Sequence, residues 1–196
     1  MQIHGVNKTT LLDFPEHIAA TVFTGGCNFC CPFCHNKDLV LHPASQPMLP
    51  EEEVLDFLLK RRGILEGVCI TGGEPTLQRD LPDFIRRVKE LGYLVKLDTN
   101  GYRPEVLGRL LQEGLLDYVA MDIKASQEQY ALVAGRAGMD VDKIVASTNL
   151  LRESGILYEY RTTVVRQLHS QEDFHSIAKW LAGSPAYFLQ GYRDSE

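Results

Sequence analysis

Basic charge is in short supply in this 196-residue chain: Lys and Arg number 20 against 26 Asp and Glu, a formal net charge of −6. Phosphate-rich partners are held by clustered cations, so neither nucleic acid nor an anionic membrane surface is the expected partner. Long apolar runs are missing too. No stretch approaches the ~18 uninterrupted apolar residues of a membrane span, and the opening MQIHGVNKTTLLDFPEH has no basic segment leading into an apolar one. A cytoplasmic protein is expected. Low-complexity tracts and short repeats are also absent, and 44% hydrophobic with 23% charged residues excludes disordered and fibrous classes. Cysteine is scarce and crowded, with four of the five between Cys27 and Cys34. Disulfides stabilise by closing long loops, so thiols this close form no framework and point instead to a metal.

The length suits one domain, expected to span 1–196. Short apolar runs alternate with longer amphipathic ones. Strands are expected at Ile18 to Phe23, Val68 to Thr71, Leu94 to Asp98, Tyr118 to Asp122, Tyr158 to Val164 and Tyr187 to Leu189. Helices are expected at Pro50 to Arg61, Leu81 to Leu91, Pro104 to Glu113, Asp140 to Glu153 and Ser170 to Leu181, with a shorter one at Gln127 to Ala134. Glu51, Glu52 and Glu53 place negative charge at a helix start, where the macrodipole favours it. Gly92, Gly114 and Gly155 follow helical runs where a left-handed residue ends the helix. The pattern predicts an α/β fold, a partial (β/α)6 TIM-like barrel of six parallel strands with outer helices. One long aperiodic stretch, 24–49, carries the cysteines, and a loop of that size inside a compact domain is usually functional.

Within it, Cys27, Cys31 and Cys34 stand in C-x3-C-x2-C spacing. Three thiolates can hold three irons of a cubane and leave the fourth open as a Lewis acid, able to accept the amine and carboxylate of an amino acid. This spacing, with Phe33 before the third cysteine, resembles the radical S-adenosylmethionine (SAM) enzymes. The resemblance implies a [4Fe-4S] cluster on Cys27, Cys31 and Cys34, SAM as co-substrate, reductive cleavage to a 5′-deoxyadenosyl radical, and Phe33 beside the adenine. Cys30 opens a rival parse as two adjacent C-x2-C pairs around zinc, although structural zinc sites usually separate their pairs more widely. Cys69, inside a predicted strand, reads as a buried small hydrophobe.

Further motifs fall at predicted strand ends, the rim where β/α barrels place their chemistry. Gly72-Gly73-Glu74-Pro75-Thr76 reads alone as a tight turn; beside the cysteines it resembles the family motif that binds the amino group of SAM. Asp98-Thr99-Asn100-Gly101 and Asp122-Ile123-Lys124 read alone as a turn and a surface ion pair. In the glycyl-radical-activating branch they imply SAM contacts from Asp98, Asn100 and Lys124, with the lysine near the SAM carboxylate. They also imply a monovalent cation on Asp98, Asp122 and the backbone oxygens of Thr99 and Ala120, hard donors that suit such an ion. Arg161 reaches the same pocket if odd positions of Tyr158-Glu159-Tyr160-Arg161 point inward, and otherwise snorkels at the surface. His35 is not expected to ligate metal; His169 reads as a turn cap, and Gln190 and Tyr192 as rim candidates.

Little surrounds this core: the sequence has no second cysteine cluster, and seven residues follow the last predicted strand. A minimal, uncapped barrel favours a polypeptide substrate, and the ending also fits a chain lacking a C-terminal segment. Together the Ile3-to-Pro15 opening, the cysteine motif, GGEPT, DTNG and MDIK resemble the activating proteins of anaerobic ribonucleoside-triphosphate reductase. That resemblance implies hydrogen abstraction from a glycine of a partner glycyl-radical enzyme, with electrons from a low-potential donor such as flavodoxin or ferredoxin. A small-molecule radical SAM enzyme such as a 7-carboxy-7-deazaguanine synthase, an iron-sulfur electron carrier and a zinc-binding module stay open as alternatives.

Overall fold

The computed structural model describes residues 1–193. Seven strands form one sheet in sequence order: β1 (Ile3–Thr10), β2 (Ala19–Thr24), β3 (Gly67–Gly72), β4 (Leu94–Thr99), β5 (Tyr118–Asp122), β6 (Leu157–Val164) and β7 (Tyr187–Gly191). Strands β2 to β7 run parallel, while β1 pairs antiparallel with β2. The helices are α1 (Lys37–Leu41), α2 (Glu51–Lys60), α3 (Leu81–Glu90), α4 (Pro104–Gln112), α5 (Tyr130–Val133), α6 (Asp142–Glu153) and α7 (Gln171–Trp180). The mostly parallel sheet with flanking helices is that of a partial (β/α) barrel, and the six expected strands lie within a few residues of β2 to β7.

Strand β1 was not expected, because its pattern does not alternate. Register shifts between Ile3 and Gly5 and between Asn7 and Thr10 interrupt the pairing with β2, and the period-2 signature is lost with it. Helix α1 was also missed; its five residues bury no side chain, so it has no apolar stripe to detect. Helix α6 starts two residues later than Asp140.

Period-2 alternation gives the sheet two different faces. Val68, Ile70, Val95, Leu97, Val119, Met121, Tyr158 and Tyr160 join Leu58, Phe84, Ile85, Leu107, Leu110, Ile144 and Leu151 in the main apolar core. Burying each such side chain contributes about 1.5–3 kcal/mol. The intervening residues include Thr21, Lys96 and Glu159, buried but polar, beside the small Cys69 and Ala120. Between β1 and β2, Phe14 packs 6.0 Å from the Tyr118 ring, and there Asp13 accepts a 2.5 Å hydrogen bond from Thr21.

Candidate active site

The cysteine loop is held to the sheet by backbone contacts that need its glycines. The amide of Glu74 donates to Gly26 O at 2.8 Å, and Asn36 Nδ2 donates to Gly72 O at 2.9 Å. A Cβ on Gly73 would collide with the Gly26 carbonyl, so only glycine lets β3 and the loop approach this closely. On its other side, Cys30 N donates to Ala134 O at 3.1 Å and Arg136 Nη1 to Asn28 O at 2.7 Å.

Between the loop and the strand ends lies a cavity of about 420 Å³. Cys27, Cys31, Cys34 and Phe33 line it, with Gly72, Gly73, Glu74, Asp98, Thr99, Asn100, Asp122, Lys124 and Arg161. Ala120 is fully buried opposite Asp98 and does not line it. Asp13, Asn36 and Gln190 also face the cavity. Tyr192 packs its ring on Phe33 and His35, and His35 contacts the Arg193 carbonyl. The His169 ring bridges Val165 N at 3.1 Å and Lys124 O at 2.8 Å, bracing the segment after β5 that carries Lys124.

All five cysteines are free thiols; Cys27, Cys31 and Cys34 are half-buried, Cys30 is exposed and off the cavity, and Cys69 is buried. Burial pushes the Cys27 thiol up to about 12, against the lowering effect of the Phe29 amide at 3.4 Å. Burial also raises Cys31, opposed by the charge of Lys124. Metal binding at these thiols therefore displaces protons. Asn100 Nδ2 lies 3.7 Å from Cys27 Sγ, a donor aimed at the sulfur. Among the described residues no three His, Cys, Asp or Glu groups converge where one ion could sit, and with Cys30 off the cavity a four-thiol zinc site has no support. A cubane gives each thiolate its own iron, so its ligands need not converge on one point. Three thiols on one wall fit that requirement in donor type and number.

Glu74 is buried and accepts four hydrogen bonds. Its Oε1 accepts from Thr76 N at 3.1 Å, Thr76 Oγ1 at 2.6 Å and Thr99 Oγ1 at 2.7 Å, while Oε2 accepts from Asn100 N at 2.7 Å. The carboxylate thus ties the end of β3 to the end of β4. Burial raises its pKa, and these four hydrogen bonds oppose the rise.

Across β4, β5 and β6 runs a chain of alternating charge. Lys96 Nζ meets Asp98 Oδ1 at 2.5 Å, and Arg161 Nη2 lies 3.2 Å from both Asp98 Oδ2 and Asp122 Oδ1. Lys124 Nζ completes it at 2.9 Å from Asp122 Oδ2. Burial would raise Asp122, but Lys124 and Arg161 outweigh it and hold the carboxyl down to about 2. Burial would likewise lower Lys124 and Arg161, yet their carboxylate partners hold both pKa values above the usual range. The two carboxylates expected to hold a monovalent cation thus already carry cationic partners. Lys96 was missed by sequence reading, although it stands two residues before Asp98 on the same face of β4.

A parallel barrel whose rim gathers three thiols, a glycine-rich turn and a charged floor is the architecture of a cofactor-using barrel enzyme. The model of the Radical SAM superfamily matches residues 21–181, and the chain belongs to that superfamily of radical-generating enzymes. Over 200 residues it is 34% identical to a Methanocaldococcus jannaschii protein described as a glycyl-radical enzyme activating enzyme, covering 99% of this chain and 81% of that one. A pyruvate formate-lyase-activating enzyme of Clostridium pasteurianum is 29% identical, over 90% of this chain and 74% of that one. A protein of Saccharolobus solfataricus described as a GTP 3′,8-cyclase is also 29% identical, over 79% of this chain but 49% of that one. In fold it resembles Streptococcus suis SuiB bound to the precursor peptide SuiA, with a TM-score of 0.68 and 14% identity over 88% of this chain and 39% of that one. The chain is therefore a radical SAM enzyme of the branch that resembles glycyl-radical activases. Among the described residues no helix is long and apolar enough to cross a membrane.

Proposed function

We propose that this chain activates a glycyl-radical enzyme by removing a hydrogen atom from the α-carbon of one glycine in a polypeptide loop of that partner. Anaerobic ribonucleoside-triphosphate reductase is the partner favoured by the opening Ile3-to-Pro15 motif. The observation that carries the reading is the composition of one cavity wall: Cys27, Cys31 and Cys34 line it and Cys30 and Cys69 do not, while Gly73, Glu74, Lys124 and Arg161 face the same space. The three thiolates would hold a [4Fe-4S] cluster, which when bound supplies the low-potential electron that cleaves SAM into methionine and a 5′-deoxyadenosyl radical.

The chain's own residues bind and orient. Lys96, Arg161 and Lys124 stand against Asp98 and Asp122, and the Lys124 ammonium at the cavity is the complement to the SAM carboxylate. Glu74 Oε2 accepts one hydrogen bond from the protein and keeps a lone pair for the SAM amino group. Phe33, 5% exposed and packed with Ala125, Val133 and Val165, offers a firm apolar flank for the adenine. A cavity of about 420 Å³ falls within the range of small-molecule sites. A flavodoxin- or ferredoxin-type donor would supply the electron.

Anaerobic reconstitution with iron and sulfide, followed by dithionite and SAM, should yield 5′-deoxyadenosine and methionine. Adding the partner reductase should produce a glycyl-radical signal by electron paramagnetic resonance. Cleavage with no radical on any glycyl-radical partner, but conversion of a nucleotide heterocycle, would replace this reading with the small-molecule one that the cyclase relative favours. An iron-loaded sample that cleaves no SAM would remove both.

A further inference from the structure

Lys96 sits beneath the floor of the cavity, 1% exposed, on β4. An ammonium so placed is tolerated only with close compensation. It has Asp98 Oδ1 at 2.5 Å, Cys69 Sγ at 3.9 Å and the Tyr118 ring centroid at 5.8 Å. Tyr118 in turn donates to Glu159 at 2.7 Å. All four carboxylate oxygens of Asp98 and Asp122 therefore have a cationic donor from Lys96, Arg161 or Lys124. An alkali ion would have to displace one of these cationic donors, and the donor set does not fit it.

We infer that Lys96 is a positioning residue whose tethered ammonium occupies the place of a mobile monovalent cation, fixing Asp98 and through it Arg161, so that ligand binding here is independent of alkali ions. The inference rests on the reading that the cavity takes SAM, but its ionic part can be measured separately. A covalently attached cation is always present at the site, whereas a dissolved one must be recruited from solution and pays for its ordering.

The cluster-reconstituted protein is compared in potassium chloride and in tetramethylammonium chloride at equal ionic strength, with SAM binding by equilibrium dialysis and the melting temperature as readouts. The wild type should bind SAM equally within about twofold, and melt alike, in both salts. Lys96→Ala should bind SAM about tenfold more weakly in tetramethylammonium and recover in potassium, with its melting temperature following the same order. Loss of wild-type affinity or stability on removing potassium would overturn the inference. So would a Lys96→Ala protein equally impaired in both salts, the behaviour of a merely structural residue. Should that variant not fold, the wild-type comparison and Lys96→Gln decide. Failure of the wild type to bind SAM in either salt would count against the cofactor reading, while the melting comparison would still test Lys96.

Discussion

Replacing Glu74 with Gln keeps the side chain's shape and changes only charge and one donor. Three of the four donors around the carboxylate converge on Oε1 and the fourth, the Asn100 amide, on Oε2. The glutamine oxygen must take the Oε1 position, which turns its NH2 toward the Asn100 N–H, donor against donor. A charge-assisted bond worth about 1.5–3 kcal/mol is lost, and the other three weaken toward neutral strength. Against this, the burial that raises the Glu74 pKa no longer opposes a charge. The net expectation is a loss of roughly 2–3 kcal/mol, or a melting temperature lower by about 4–12 °C in a chain of this size. Calorimetry or circular-dichroism melts on the metal-free protein read this directly, with urea unfolding as a second measure. A Glu74→Gln protein melting within about 1 °C of wild type would refute the reasoning, because the carboxylate would then not be the tie between β3 and β4.

Cys31→Ala should lose the reconstituted iron-sulfur absorbance and all SAM cleavage while keeping its fold, whereas Cys30→Ala should keep both; iron and sulfide assays with 5′-deoxyadenosine quantification separate them. The depressed Asp122 carboxyl adds stability that is complete above its ordinary pKa of 3.8 and fades as pH falls toward about 2. The gap in melting temperature between wild type and Asp122→Asn should accordingly shrink between pH 6 and pH 2.5, both about there by choice of buffer; a gap that widened on acidification would reverse the sign. Gly73→Ala drives a methyl group into the Gly26 carbonyl and should cost about 1–3 kcal/mol in urea unfolding together with weaker iron retention.

What the sequence disclosed of the fold follows the strength of the physical pattern. Strands β3, β4 and β5 could be read because each pairs on both sides within the parallel sheet, and their apolar runs end sharply at glycine or polar rim residues. Strand β1 lies at the edge, with three of its eight residues exposed and two register shifts that erase alternation. Helix α1 lies in the cysteine loop and buries nothing, so hydrophobic period carries no trace of it.

The site divides along a similar line. The cysteine spacing is legible because one loop must present three thiols together, which fixes their separation along the chain. The Glu74 clamp joins residues 25 and 26 positions apart, and no local pattern shows that Thr99 and Asn100 will meet it. Lys96 is the sharper case. In isolation, a lysine between Val95 and Leu97 in a strand reads as an outward residue between two core residues, and the outer face of a barrel strand is packed by helices. Here it is the apolar pair that faces the helices and the lysine that turns to the interior, because Asp98 stands two residues on and shares its face. The charge that closes the floor was thus encoded by the same alternation that located the strand, and only the identity of the inward face, set by the barrel's closure around its polar centre, was missing.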